Sequence, residues 1–176
     1  DDAISLEINN NIKKIWVHIS YPVKLFEYNS EIDIEAKNKS TTLYLVDKNI
    51  SMLPENIIRI SNLETNKISE TLSTCIELNE DGSIKNYMVL EALIKPNYEF
   101  TYEDVNELLE LQPKEEYELV ILNNLLKKSI NYRKQKGAIT FNDRYSKILF
   151  TNEKVSFTNI EISDAHKLVS EAMILM

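Results

Sequence analysis

Two β-rich segments joined by a short turn constrain the fold more than any other feature of this sequence. Residues 71–78 and 84–94 are rich in threonine, isoleucine, leucine and valine, and Asn79-Glu80-Asp81-Gly82 separates them. Glycine at the end of such a turn supplies the positive φ that a tight reversal requires. The pattern predicts a long antiparallel hairpin.

The remaining elements alternate between strand and helix patterns. Residues 3–8 alternate apolar and polar side chains, and the run 15–20 follows a turn-like Asn9-Asn10-Asn11, which predicts a second antiparallel pair. Strands are also predicted at 42–46 and 138–141, with a hairpin over 148–162. Helices are predicted after Ser30, from Pro54, from the capping box at Thr101 to Leu111, over 114–136, and after Ser163-Asp164.

Together these elements predict an α+β fold, with a mixed or antiparallel sheet whose hairpins are packed by helices. We find no linker, repeat or low-complexity segment, so residues 1–176 are expected to form one unit. The chain begins on Asp1-Asp2 with no methionine before them, and the last helix lacks a stop signal. We therefore expect a unit truncated at both ends, whose uncapped apolar last helix could drive self-association.

Composition excludes several classes of site. The net charge of −8 disfavours a broad nucleic-acid-binding surface, although one basic groove remains compatible with it. One cysteine, Cys75, excludes an intrachain disulfide and favours a reducing, cytoplasmic location. Two glycines exclude a Gly-rich phosphate loop, and two histidines, His18 and His166, are too few for a histidine-based zinc site. No signal peptide or membrane-length apolar run is present, so no membrane association is expected.

The paired acids Asp1 and Asp2 have two interpretations. On a strand they face opposite ways and form a solvated strand end; on a turn they converge, and a divalent cation is one way to hold them together. The basic end of the helix 114–136 also has two interpretations. Its side chains complement the helix dipole in one, and they contact phosphate in the other. Tyr102 and Phe141 could be core residues or platforms that stack on unpaired bases.

In order and approximate spacing, several segments resemble the RNB catalytic domain of the ribonuclease II and ribonuclease R family. They read DDAISLE, IWVHISYP, SEIDIEAKNKSTTLYLVDKNISMLPENI, TLSTCIELNEDGSI, TYEDVNELLE, YRKQKGAITF and AHKLVSEAMIL. The most specific are the DDA start and the YL block followed by MLPE. The resemblance covers the whole chain, which corresponds to the N-terminal part of one RNB domain.

The resemblance implies an exoribonuclease that hydrolyses single-stranded RNA processively from its 3′ end to nucleoside 5′-monophosphates, with Mg²⁺ as cofactor. It implies that Asp1 and Asp2 are the last two of four catalytic, metal-binding aspartates. It also implies that Tyr44, Tyr102 and Phe141 contact RNA, and that Glu171 lies close to the nucleotide channel. Cold-shock and S1 RNA-binding domains are implied elsewhere in the parent protein, and the isolated fragment is expected to be inactive.

The sequence departs from the family pattern in places. Tyr21 replaces an aspartate that usually follows the second strand, Lys39 replaces an arginine, and Ser170 replaces one of two adjacent acids. Asn62-Leu63 replaces the usual SL segment after MLPE. These changes leave open an alternative function, a non-catalytic RNB-like module that binds RNA or serves as a scaffold. A third alternative is an acidic α+β domain unrelated to RNA, which buried and dispersed Tyr44, Tyr102 and Phe141 would favour.

Overall fold

The computed structural model describes residues 2–45, 48–139, 145–151 and 154–176. It groups the chain into two compact units. The first unit contains Asp1–Ile19, Leu63–Asp143 and Ile162–Met176, and the second contains Ser20–Asn62 and Arg144–Glu161. One unit was predicted from the sequence, and the number of independent folding domains stays a prediction.

Five helices and eight strands lie in the described ranges, which confirms the α+β fold. The strands are β1 (Asp2–Asn9), β2 (Ile12–Ser20), β3 (Leu43–Tyr44), β4 (Asn49–Ile50), β5 (Ser69–Leu78), β6 (Ile84–Ile94), β7 (Tyr145–Thr151) and β8 (Lys154–Ile160). The helices are α1 (Glu31–Lys39), α2 (Glu55–Ser61), α3 (Tyr102–Leu111), α4 (Tyr117–Gln135) and α5 (Asp164–Leu175). No helix in the described residues is long and apolar enough to cross a membrane.

The first unit is built on a four-stranded sheet in the order β1-β2-β5-β6. β1 pairs antiparallel with β2, with Leu6 opposite Ile15, and their connection turns through Asn10 and Asn11, whose φ angles of 48° and 67° are left-handed. Asparagine tolerates this conformation better than most residues, which explains why the turn could be predicted from the sequence. β5 pairs antiparallel with β6 over the predicted hairpin.

The core of the first unit forms between one face of this sheet and two helices. Alternate residues of β2 and β5 point to the same face, and helical spacing aligns the apolar stripes of α4 and α5. The buried cluster consists of Ile15, Val17, Ile76, Leu122, Leu126, Leu168 and Ala172. Because the cluster contains residues of both helices, α4 and α5 are held on the sheet mainly by apolar burial.

Side-chain caps fix the starts of three helices, as the sequence predicted. Ser30 Oγ accepts from the Asp33 N–H at the start of α1, and Ser163 Oγ accepts from the His166 N–H at the start of α5. At α3 the capping box is complete, because Thr101 Oγ1 accepts from the Asp104 N–H while the Asp104 carboxylate accepts from the Thr101 N–H. Each cap satisfies helix N–H groups that lack intrahelical partners.

Some predicted boundaries are wrong. Residues 114–116, predicted as helix, form a 3₁₀ turn before α4, and Pro54 is the N-cap of α2 rather than its first helical residue. Ala138 and Ile139 lie outside any strand, and the rest of the predicted strand 138–141 lies outside the described residues. Proline and glycine near these positions indicate that a helix or strand ends, but they do not fix the residue at which the next one begins. Errors of a few residues at the boundaries follow from this.

The second unit contains α1, α2, a two-stranded β3–β4 pair and a β7–β8 hairpin. β3 pairs Leu43 with Ile50 and Tyr44 with Asn49, so the predicted strand 42–46 is shorter than expected. β7 and β8 pair from Tyr145 opposite Ile160 to Thr151 opposite Lys154. The predicted second hairpin is therefore confirmed, with its turn at 152–153 outside the described residues.

Replacing Gly82 by alanine is expected to destabilise the first unit far more than replacing Gly137. Both glycines have positive φ, 89° and 94°, but a Cβ on Gly82 would lie 2.3 Å from the Lys128 carbonyl oxygen of α4, whereas nothing lies within 4 Å of the Gly137 position. We expect about 1 kcal/mol for Gly137→Ala and about 3 kcal/mol or more for Gly82→Ala. Urea unfolding measures both, and equal losses would contradict the close approach of this turn to α4.

Candidate functional site

Asp2 is an exposed carboxylate at the first residue of β1, opposite Ile19 of β2. Strand alternation places it on the same sheet face as Ile4 and Val17. No described group forms a hydrogen bond or ion pair with its side chain. Its predicted partner Asp1 lies outside the described residues. Asp2 is therefore available to bind a ligand at this edge of the sheet.

Asp2 has the donor chemistry that Mg²⁺ prefers, because this ion is commonly held by one or two carboxylates together with waters and phosphate oxygens. Among the described residues, however, no group of three or more histidine, cysteine, aspartate or glutamate side chains could hold a metal ion. The described part of the chain therefore fits Mg²⁺ in donor type but not in donor number. Further ligands would have to come from Asp1 or from outside the described residues.

Tyr44 belongs to the second unit, where it lies on β3 with 80% of its surface exposed. The Leu45 N–H donates to the Lys48 carbonyl, and Thr42 Oγ1 accepts from the Met52 N–H at 3.1 Å. These contacts fix the backbone on both sides of the tyrosine. Its ring is free to stack on an aromatic ligand.

Tyr102 lies in the first unit, at the first residue of α3, and stacks on His166 of α5. The ring centroids are 3.9 Å apart and the planes differ by 12°. His166 Nδ1 also lies 2.7 Å from Ser163 Oγ, the cap of α5, so the cap orients the imidazole. Tyr102 is 43% exposed and therefore presents an aromatic surface held by a second ring. The stacking of Tyr102 on His166 was not predicted from the sequence.

Glu171 is placed differently from the two tyrosines, because only 3% of it is exposed. Its Oε1 accepts a 2.7 Å hydrogen bond from Ser129 of α4 and lies 3.4 Å from Arg133 Nε. The second contact is an ion pair without hydrogen-bond geometry, since Arg133 Nε has no hydrogen-bond partner among the described residues. The Glu171 carboxylate thus links α5 to α4, and its predicted contact with RNA stays a prediction.

The described aromatic site residues are therefore exposed, and the described acids differ in exposure. Asp2, Tyr102 and Glu171 lie in the first unit and Tyr44 lies in the second. Phe141, the last predicted RNA-binding residue, lies outside the described residues. Burial of the aromatic residues would have favoured an α+β domain unrelated to RNA. Tyr44 and Tyr102 are exposed, so this condition is not met.

The basic end of α4 is partly neutralised by acids on α5. Lys127 Nζ lies 2.7 Å from the Asp164 carboxylate, and Arg133 faces Glu171. Lys136 Nζ lies 5.4 Å from the centre of the Tyr132 ring, a cation–π contact. Helix packing therefore engages Lys127 and Arg133, and the exposed Lys128 and Lys134 remain available for a phosphate.

His18 lies in a chain of buried hydrogen bonds that crosses the four-stranded sheet. His18 Nε2 is 3.1 Å from Ser5 Oγ, and Nδ1 is 2.7 Å from Ser73 Oγ, which in turn is 2.8 Å from Thr71 Oγ1. Thr71 Oγ1 donates to the Ala92 carbonyl, so Thr71 can accept from the Ser73 hydroxyl. Ser73 in turn can accept from the Nδ1–H of a neutral His18 imidazole, which assigns that tautomer to His18. His18 is therefore a hydrogen-bonded residue of β2.

Cys75 lies on β5 and is 5% exposed. Burial raises the pKa of its thiol, which disfavours the thiolate. Cys75 is therefore a packing residue and not a nucleophile.

Lowering the pH below 6.5 is expected to weaken the fold through His18. Burial holds the pKa of His18 below its ordinary value of 6.5, so the unfolded chain binds a proton at a higher pH than the folded chain does. The free energy of unfolding should therefore be highest above pH 6.5 and should fall from there toward the folded pKa. Urea unfolding between pH 5 and 8 measures this slope.

The control variants for that measurement are His18→Gln and His166→Gln. We expect His18→Gln to remove the fall in the free energy of unfolding below pH 6.5, and His166→Gln to keep it. An unchanged slope in His18→Gln would show that another group causes the acid sensitivity.

The family profile of the RNB domain matches residues 1–176, and the chain belongs to the RNB domain family. A protein of Synechocystis described as an uncharacterized ribonuclease is 35% identical over an alignment of 179 positions, which covers 99% of this chain and 27% of that protein. Exoribonuclease 2 of Psychromonas ingrahamii is 31% identical over 189 residues, covering 99% of this chain and 29% of the relative. The chain therefore spans less than a third of the length of these relatives.

Two solved structures share this fold. RNase R of Mycoplasma genitalium, in complex with double-stranded RNA, superimposes with a TM-score of 0.90 at 22% identity, covering 99% of this chain and 33% of that one. Yeast Ssd1, described as a pseudonuclease, superimposes with a TM-score of 0.72 at 18% identity, covering 97% of this chain and 22% of that one. The recognised family and the RNase R fold confirm the resemblance read from the sequence.

Proposed function

We propose that this chain is the N-terminal part of the catalytic domain of a 3′-to-5′ exoribonuclease that hydrolyses single-stranded RNA processively to nucleoside 5′-monophosphates. The observation that carries the proposal is the RNB match over residues 1–176, with relatives named as ribonucleases. The exposed carboxylate of Asp2 and the exposed rings of Tyr44 and Tyr102 provide the side-chain chemistry that such an enzyme requires.

Mg²⁺ is the proposed cofactor, with Asp1 and Asp2 among its ligands. When bound, this ion would activate the attacking water and neutralise charge on the phosphate. Asp2 contributes a hard oxygen donor from the edge of a sheet, where its backbone is fixed by pairing with β2. Because the described residues do not complete a metal site, the remaining ligands belong to the proposal.

The aromatic residues are proposed to bind RNA by stacking on bases. Tyr44, Tyr102 and Phe141 are the proposed contacts, and stacking is tolerant of sequence because every base has a π-face. The Tyr102 ring is supported from behind by His166, which limits its motion before RNA binds. For Glu171, the buried contacts with α4 favour a positioning role near the RNA path.

The alternative function is an RNB module without nuclease activity that binds RNA or serves as a scaffold. The fold is compatible with it, since Ssd1, described as a pseudonuclease, has the same fold. Tyr21, which stands where the family has an aspartate, is a feature of this sequence that favours the alternative. We propose the enzyme because of the ribonuclease relatives.

The experiment incubates the full-length protein with 5′-labelled single-stranded RNA in Mg²⁺, and in parallel with excess chelator. We expect progressive shortening and release of nucleoside monophosphates in Mg²⁺, and at least about a hundredfold slower loss of RNA with chelator. The 176-residue chain alone is expected to leave the RNA intact. RNA that stays intact with the full-length protein, yet is bound, would favour the non-catalytic module.

The parent protein is further proposed to act in the cytoplasm and to carry cold-shock and S1 RNA-binding domains. Such domains would provide basic RNA-binding surface in addition to this chain, whose net charge is −8. Self-association of the isolated chain also stays a proposal, and analytical ultracentrifugation of the 176 residues at two concentrations tests it. A single monomeric species at both concentrations would contradict it.

A further inference from the structure

A polar cavity of about 480 Å³ lies within the first unit, between α3, α4 and α5. It contains none of the site residues proposed above. Four of its side chains carry amide groups: Asn106, Gln112, Asn123 and Asn124. Amides offer donors and acceptors side by side without charge, a combination that suits the polar edge of a nucleobase.

Asn123 is the most informative residue of this cavity. It is 7% exposed on α4, and no described residue supplies a hydrogen-bond partner for its amide. The amide atoms of Asn123 are not fully enclosed by the described protein atoms. The residue lines the cavity, so these atoms can be reached from it. A nearly buried amide without a protein partner costs free energy unless a ligand or water in the cavity bonds it.

Asn106 is held in one orientation at the opposite wall. Its Oδ1 accepts a 3.1 Å hydrogen bond from the Ala165 N–H in the first turn of α5. This bond uses the acceptor of the amide and leaves its Nδ2 group as a donor. Asn106 is therefore a pre-oriented donor, whereas Asn123 can donate and accept.

The charges of the cavity select against phosphate. Lys127 and Asp164 form a 2.7 Å ion pair in its wall, so the one cationic lining side chain is already neutralised. Hydrogen bonds from Lys127 and Lys167 lower the pKa of Asp164, which keeps this carboxylate ionised at neutral pH. Glu110 adds a second carboxylate to the lining. An anion would be repelled, whereas a ligand that presents amino hydrogens would be attracted.

We propose that this cavity binds a nucleobase that carries an exocyclic amino group, as adenine and cytosine do. The amino group would donate to a carboxylate or amide oxygen of the cavity, while the ring nitrogens and carbonyls would accept from Asn106 and Asn123. Uracil, which has a carbonyl in place of the amino group of cytosine, fits this set of acceptors poorly. That the base belongs to an RNA strand rests on the function proposed above; binding of the base itself does not.

Calorimetric titration of the full-length protein with cytidine, adenosine and uridine tests the proposal, since these nucleosides contain no phosphodiester bond that the protein could cleave. For ligands of this size we expect dissociation constants on the order of 0.1 to 1 mM for cytidine and adenosine. We expect about tenfold weaker binding of uridine, because acceptors would face an acceptor. Asn123→Leu should weaken cytidine binding at least about tenfold, while Asn131→Leu, at an exposed position of the same helix, should not change it.

Equal binding of cytidine and uridine, unchanged binding by Asn123→Leu, or no heat with any nucleoside would overturn the proposal; in the last case water alone satisfies Asn123. Thermal unfolding of both variants checks that each is folded. The outcomes are separable from the enzyme assay. If the protein were inactive but bound cytidine through Asn123, the proposed nuclease activity would be wrong and the proposed base-binding cavity would stand. If the protein degraded RNA but did not bind cytidine through Asn123, the nuclease activity would stand and the base-binding cavity would be wrong.

Discussion

Asp2→Asn in the full-length protein is expected to slow RNA degradation by at least about a hundredfold while leaving the fold intact. The substitution keeps the size of the side chain but removes the charge that would hold Mg²⁺, and losing several kcal/mol of charge stabilisation corresponds to this factor. Asp2 is exposed and forms no described side-chain contact, so the free energy of unfolding should not change. Single-turnover degradation of single-stranded RNA measures the rate.

The matched control for Asp2 is Glu80→Gln. Glu80 is an exposed acid in the turn between β5 and β6, and its replacement removes the same charge from the first unit. We expect wild-type degradation from this variant. If both variants degraded RNA at the wild-type rate, Asp2 would not be a metal-binding residue; if both were equally slow, the effect would come from overall charge.

Glu171→Ala is expected to destabilise the protein by about 3 kcal/mol. The change removes the acceptor of the Ser129 hydrogen bond and leaves Arg133 without its counter-charge between α4 and α5. Breaking a buried ion pair costs about 3 to 5 kcal/mol, and we use the lower end because the Arg133 side chain is 35% exposed. Urea unfolding measures the loss.

Two further variants separate the parts of this effect. Glu171→Gln keeps an acceptor for Ser129 and loses only the charge, so its loss should be smaller than that of Glu171→Ala. Ser170→Ala changes an exposed neighbour on α5 and should stay within about 0.5 kcal/mol of the wild type. If Glu171→Ala kept full stability but lost RNA binding, the carboxylate would act on RNA directly.

Local signals explain which parts of the fold could be predicted. The Asn10-Asn11 turn, the Gly82 hairpin and the Thr101 capping box each depend on a few adjacent residues, and each is confirmed. The strand predicted at 138–141 was wrong at Ala138 and Ile139, because a short apolar run after a helix-ending glycine has no periodicity that distinguishes strand from loop.

Tertiary contacts explain what the sequence could not predict at the site. Glu171 was assigned to the nucleotide channel from its motif, and nothing local reveals that Ser129 and Arg133 contact it from a helix about forty residues earlier. The same holds for the stack of Tyr102 on His166, and for Asn123, whose spacing on α4 gives no sign of a cavity. These features arise only when α3, α4 and α5 pack together.

An exonuclease of the proposed kind attacks the 3′ end of RNA, so the direction of degradation tests the proposed function. The most direct measurement compares one single-stranded RNA labelled at its 5′ end with the same RNA labelled at its 3′ end, both incubated with the full-length protein in Mg²⁺. We expect the 3′ label to be released at once as a mononucleotide and the 5′ label to pass through progressively shorter products. Release of the 5′ label first, internal fragments, or intact RNA of both kinds would rule out a 3′-to-5′ exonuclease.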